Sequence, residues 1–169
     1  AIDVRHDIEN IGQAPLKPSV YLQLLRDGIV EIGRSCIDPD YRSGATIALL
    51  WSGLARYMAH GGYRHLIGCA SIGMGDGGHN AANVFRSLEA HMAPLEYREF
   101  PRHPLPVERL ASSARHEMPA LIRGYLRAGA WVCGEPAWDP DFNTADLLLM
   151  LPMSRVDSRY ARHFMERRH

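Results

Sequence analysis

Glu31 and Arg34 lie in the strand-like run EIGRSCI, where an acid and a base stand among residues that would otherwise pack into an apolar sheet. A carboxylate so placed can take a proton from an amine, directly or through water, and can attract a cationic molecule. A guanidinium can orient a carboxylate through paired hydrogen bonds, whether that carboxylate belongs to a substrate or to the chain itself. Farther on, Arg42, Gly44, Ala45 and Thr46 follow an Asp38-Pro39-Asp40 turn and open a helical pattern. Fresh helical N–H groups beside an arginine, a permissive backbone and a hydroxyl make a seat for a phosphate. Asp146 opens an apolar run near the end of the chain, with Asp139 and Asp141 just before it. It can meet an amine, although capping or turn formation is the commoner role for such an aspartate. Strand alternation puts Glu31 and Gly33 on one face and Ile32 and Arg34 on the other, so the acid and base pair directly only across a bulge at Gly33. An ion-pair network within the sheet is the competing reading for both, as a solvated arginine and a plain helix start are for Arg42 and Gly44.

These residues need elements to hold them. Tyr21 to Leu25 is apolar, and Asp27-Gly28 is a turn signal that predicts a hairpin onto a strand over Ile29 to Ile37. Gly44 to His60 has apolar residues at Ile47, Leu50, Leu54 and Tyr57 or Met58, which predicts a helix with that face buried. Leu66 to Ile72 is a continuous apolar run, suited to a central strand buried on both faces. Helical period returns over His79 to Met92, where Asn80 is placed to cap, and again over Pro119 to Ala128. Trp131 to Gly134 and Leu147 to Leu151 read as strands joined by a WDPDFNTAD loop, and Ser158 to Arg168 as a terminal helix. Strands alternating with helices predict an α/β (α+β) mixed sheet with parallel strands at its centre and flanking helices. The strands over 29–37 and 66–72 should be parallel neighbours joined through the helix between them.

Composition narrows the class. With 169 residues the chain can bury one core, and 46% hydrophobic with 22% charged residues is ordinary for a globular domain. Residues 1–169 are read as a single domain. The 19 acidic and 19 basic residues cancel, which removes any global field toward nucleic acid or anionic lipid. No apolar run reaches the roughly 20 residues that span a bilayer. Cys36, Cys69 and Cys133 are scattered in apolar stretches, so they read as reduced, buried thiols of a cytoplasmic protein. Neither they nor the nine histidines have paired ligand spacing, and no metal site is expected.

Strand, basic turn and helix in the order Glu31 to Met58 resembles the core of the GNAT acyltransferase fold. More narrowly, it is similar to the bacterial amino-acid N-acyltransferases that make ornithine lipids, also labelled hemolysin-like proteins. Pro119 to Pro152 and the RYARHF segment from Arg159 to Phe164 resemble the C-terminal part of that family. The similarity runs from about Gly28 to Phe164, loosely over Pro94 to Arg115. The usual GNAT phosphate signature is Arg or Gln, two free positions, Gly, one free position, then Gly or Ala. Counted from Arg42, Ala45 takes the place of the first glycine and Ile47 that of the last small residue. The pattern is therefore degenerate, which suits acyl carrier protein, whose phosphopantetheine lacks the adenosine 3′-phosphate of coenzyme A. The N-terminal strands and helices of the family are not legible in Ala1 to Ser19, so N-terminal elements are expected to be lacking.

The resemblance implies transfer of a 3-hydroxyacyl group from acyl carrier protein to the α-amino group of an amino acid, L-ornithine first. It implies Glu31 and Arg34 as catalytic residues, Arg42, Gly44, Ala45 and Thr46 as the carrier-binding turn, and Asp146 as a substrate contact. No permanently bound cofactor is expected, the phosphopantetheine thioester being a co-substrate. The expected partners are acyl carrier protein, the amino acid and the inner face of the cytoplasmic membrane, touched peripherally. An acyl-homoserine-lactone-type or acyl-coenzyme-A-dependent enzyme is the alternative within the fold. A non-catalytic module that binds acyl carrier protein is the alternative outside enzymology. Membrane lysis finds no support, since the chain has no amphipathic pore segment.

Overall fold

The computed structural model describes residues 24, 26–33, 38–41 and 44–156. The expectations for Arg34, Cys36, Arg42 and the helix over Ser158 to Arg168 lie outside the described residues. Among the described residues five strands form one mixed sheet: β1 (Ile29–Ile32), β2 (His65–Gly73), β3 (Trp131–Val132), β4 (Ala137–Asp139) and β5 (Thr144–Pro152). The order is β1-β2-β5-β3, with β4 also on β5. The first two strands are parallel, in the register Ile29↔His65 to Ile32↔Gly68, and helix α1 (Gly44–Gly61) is the crossover between them. The predicted parallel pair is therefore present. β5 pairs antiparallel with β2 along its whole length, from His65↔Pro152 to Gly73↔Thr144.

The described residues do not form the hairpin expected at Asp27-Gly28. Leu24, Arg26 and Asp27 are helical, and Gly28, at φ +79°, turns the chain out of that helical turn into β1. Its carbonyl accepts hydrogen bonds from the Arg64 and His65 N–H groups at 2.9 and 3.1 Å, which starts β1 level with β2. A glycine in the left-handed region serves a helix end as readily as a hairpin, and here the long-range partner decides.

Register sorts the side chains into two faces. Val30, Leu66 and Leu151 are aligned, and Met58 of α1 and Ala128 of α4 (Ala120–Ala128) pack against them. The same face continues through Ala70, Ile72, Leu147 and Leu149 beneath α2 (His79–Arg86) and the short α3 (Val107–Leu110). The opposite face holds a smaller cluster in which Leu24, Ile67, Ala93, Cys133 and Met150 meet.

Several details differ from the local reading. The buried seam of α1 runs through Trp51, Leu54 and Met58, whereas Leu50 is 55% and Tyr57 52% exposed. The stretch is apolar almost all round, so periodicity alone does not select the face. β2 is buried on both sides only at its start, because Cys69 and Ser71 are exposed. The loop before β5 is a hairpin: β4 pairs with Thr144 to Asp146, and the Asp139 carboxylate accepts the Asp141 and Phe142 N–H groups at 2.9 and 3.1 Å. Asp76, not Asn80, caps α2, accepting the Gly78 and Asn80 N–H groups at 3.0 and 2.7 Å. The Asn80 side chain instead exchanges hydrogen bonds with the Glu117 backbone in both directions. That helix also ends early, giving way to a 3-10 turn at Glu89–His91.

Candidate active site

β1 and β2 stop pairing at Ile32↔Gly68, while β2 runs on to Gly73. Among the described residues, nothing pairs with β2 on its β1 side over residues 69–73. The described pairing thus ends at this level, and beyond it β2 carries an edge with backbone donors and acceptors beside β1's last residues. A Cβ on Gly68 would lie 2.6 Å from the Ile32 carbonyl oxygen, so the close approach of the two strands where their described pairing ends depends on this glycine.

Glu31 sits at this point. Its register partner is Ile67, and that of Ile67 is Met150, so all three side chains share a row on the sheet face opposite α1 and α4. Glu31 is 8% exposed, and its Oε2 atom is out of contact with solvent. Farther along the same face come Cys69 and Ser71 of β2, both exposed, followed by Asp146, the register partner of Ser71. Neither Cys69 nor Ser71 stands out in the sequence, because only the inter-strand register reveals that they continue the row of Glu31.

The sequence-derived residues thus do not converge on one point. Ser71 is four residues beyond Ile67, which puts Asp146 about 13 Å farther along the sheet than Glu31. The two amino groups of an extended diamino acid cannot bridge that distance. Asp146 is half-buried and accepts a hydrogen bond from the Thr144 hydroxyl at 3.1 Å. Gly44, Ala45 and Thr46 form the first turn of α1, with Thr46 half-buried, as the turn-helix reading requires. Ahead of them Pro39–Tyr41 forms a 3-10 turn in which the Asp38 carboxylate accepts the Asp40 N–H at 3.0 Å.

On the other side of the sheet, directly behind this point, lies a small, shallow apolar cleft. Ile32, Gly68, Tyr125, Leu149 and Leu151 are among its walls. Tyr125 belongs to α4, and its ring meets Trp51 of α1 edge-on at 5.2 Å. Burial pushes the Tyr125 hydroxyl above its ordinary pKa, so it stays neutral. Of the two described cysteines, Cys133 is buried as expected: burial, aided by the negative charge of Glu99, pushes its thiol up to about 12. Cys69 is exposed because β2 has one open face at this point. Among the described residues no group of histidines, cysteines and carboxylates is arranged to hold a metal ion. Among those residues, too, no helix is long and apolar enough to cross a membrane.

Residues 12–52 match the acetyltransferase (GNAT) domain family, a stretch that contains β1 and the first half of α1. An L-ornithine N(alpha)-acyltransferase of Agrobacterium fabrum is 37% identical over 145 residues, covering 80% of this chain and 49% of the relative. The protein of that name from Rhodobacter capsulatus is 34% identical over 151 residues, covering 83% and 56%. That from Brucella abortus is 31% identical over 147 residues, covering 80% and 51%. The chain spans about half the length of these curated relatives. No solved structure matches it.

Proposed function

Because this chain is a homologue of the L-ornithine N(alpha)-acyltransferases with a GNAT segment at its centre of chemistry, we propose that it is an acyl-carrier-dependent N-acyltransferase. It moves a 3-hydroxyacyl group onto the α-amino group of an amino acid, L-ornithine first, in ornithine-lipid synthesis. The observation that carries this reading is a buried carboxylate, Glu31, on the strand whose described pairing with β2 ends at Gly68.

The amine nitrogen attacks the thioester carbonyl, the C–S bond breaks, and the pantetheine sulfur departs as a thiolate that takes up a proton. A protonated amine has no lone pair, so a base must remove its proton, and Glu31 is the carboxylate in reach of the β2 edge. The tetrahedral intermediate carries negative charge on oxygen. Backbone N–H groups along 29–33 and the β2 edge are the described donors nearest to it, and the expected run extends to Ile37. Arg34, which lies outside the described residues, is assigned the task of orienting a carboxylate. Arg42, with the Gly44-Ala45-Thr46 turn, seats the phosphate of phosphopantetheine at the start of α1. Asp146 lies too far from Glu31 to share one amino acid with it, and is left out of the acceptor pocket. The reaction takes place in the cytoplasm, with peripheral contact at the inner membrane, and needs no permanently bound cofactor.

The test is incubation with defined acyl carrier protein thioesters, the matching acyl-coenzyme A and a panel of amino acids, read by mass spectrometry. N-acylornithine formed from the carrier thioester, with little from coenzyme A, is the expected result. Equal or faster turnover with coenzyme A would show that the degenerate glycine pattern does not select the donor.

A further inference from the structure

The outer sides of α1 and α4 carry a combination that the catalytic reading does not use. Both helices lie on the same sheet face, where Met58 and Ala128 share one cluster, and they touch through Trp51 and Tyr125. Their sequences, GATIALLWSGLARYMAHG and ALIRGYLRA, contain no aspartate or glutamate. What they expose instead is aliphatic and cationic: Leu49 at 73%, Leu50 at 55% and Leu121 at 52%, with Arg56, Arg123 and Arg127 also exposed. Arg123 donates one hydrogen bond to the Met118 carbonyl at 2.9 Å, which leaves other donors of its guanidinium for a ligand. Glu117, the carboxylate nearest to α4 on its N-terminal side, has its backbone held by Asn80 on α2.

We infer that this acid-free face of α1 and α4 rests on an anionic lipid bilayer, with the leucines at the acyl boundary and the arginines on headgroup phosphates. Charge complementarity argues for this occupant, since three cations without a neighbouring acid on either helix suit a negatively charged surface. Exposed leucines beside those cations add the second, apolar signal that stable peripheral attachment requires. Position argues for it as well, because Tyr125 both lines the apolar cleft and joins the two helices. A product bearing an acyl chain would then be released next to the bilayer that takes it up. The inference deepens the membrane contact proposed above, yet its readout needs no acyl transfer.

The experiment is flotation of the chain with vesicles of phosphatidylglycerol and phosphatidylcholine in equal parts, against phosphatidylcholine alone. Binding to the anionic vesicles that weakens with added salt is expected. The R56Q/R123Q/R127Q variant should lower the partition coefficient on the order of 100-fold, at the usual contribution of a basic residue near such a surface. L49S should weaken binding without changing its salt dependence, and circular dichroism checks that both variants fold. Equal binding to neutral vesicles, no binding at all, or full binding by the triple variant would overturn the inference. So would loss of binding to acyl carrier protein in that variant with vesicle binding intact, which would assign the face to an acidic protein. If the vesicle result holds while no acyl transfer is detected, the catalytic reading fails and this one stands.

Discussion

Glu31 and Asp146 look alike in the sequence, each a carboxylate in a strand, and their surroundings separate them. Glu31 is buried where the described pairing of β1 and β2 ends, whereas Asp146 lies along the open end of the same face with Thr144 as its partner. Glu31→Gln keeps the size and removes the basic carboxylate, so it should lower kcat by about 10²- to 10⁴-fold with carrier thioester and ornithine. The variant should fold, since an amide is cheaper to bury than a charge. Unchanged turnover would make water the base and Glu31 a structural residue. Asp146→Asn should leave kcat/KM within about twofold, because a substrate held at Glu31 does not reach it. A large rise in KM for ornithine alone would instead put the acceptor beside Ser71.

At the scale of elements, the site depends on two parallel strands that lie close where their described pairing ends. Gly68 permits the close part, since any side chain there meets the Ile32 carbonyl. Gly68→Ala should cost about 1–3 kcal/mol, the usual range for overpacking, read from the urea midpoint. Because Ile32 follows Glu31, the same change should lower turnover in molecules that remain folded. An alanine variant as stable and active as the parent would show that β1 is not pressed against β2. The helix between them is less discriminating: its apolar residues surround it, and packing chooses Trp51, Leu54 and Met58 for the interior.

For the whole molecule, the pH dependence of stability carries a testable sign. His65 opens β2 between Ile29 and Pro152, and its Nδ1 atom is buried with no hydrogen-bond partner among the described residues. Burial, with Arg64 acting in the same sense, lowers its pKa from the ordinary 6.5, and Asp27 offsets part of this. The folded chain thus binds that proton less readily than the unfolded one. The stabilisation is complete above the unfolded value and is lost as pH falls through the folded one. Thermal unfolding should show Tm falling from about pH 7 to about pH 5, and falling less in His65→Gln. A variant with the same slope as the parent would place the acid sensitivity elsewhere.

The sequence by itself determined where β1, β2, β3 and β5 lie, though not β4, that α1 starts at Gly44, and that β1 and β2 run parallel through it. These follow from runs, periods and turn residues read over short windows, which is where local chemistry dominates. The resemblance to the ornithine-lipid acyltransferases was legible for the same reason, as several separated motifs in one order. Register and facing were decided only by the tertiary structure. Pairing Glu31 with Ile67 and Ser71 with Asp146 is a long-range choice, and a slip of one residue would send every side chain of a strand to the other face. That choice brought Cys69 and Ser71 into the row of Glu31 and moved Asp146 away from it. The Asp27-Gly28 turn was misread for a related reason, since a short motif cannot say whether its partner is the preceding segment or a strand beyond the next helix.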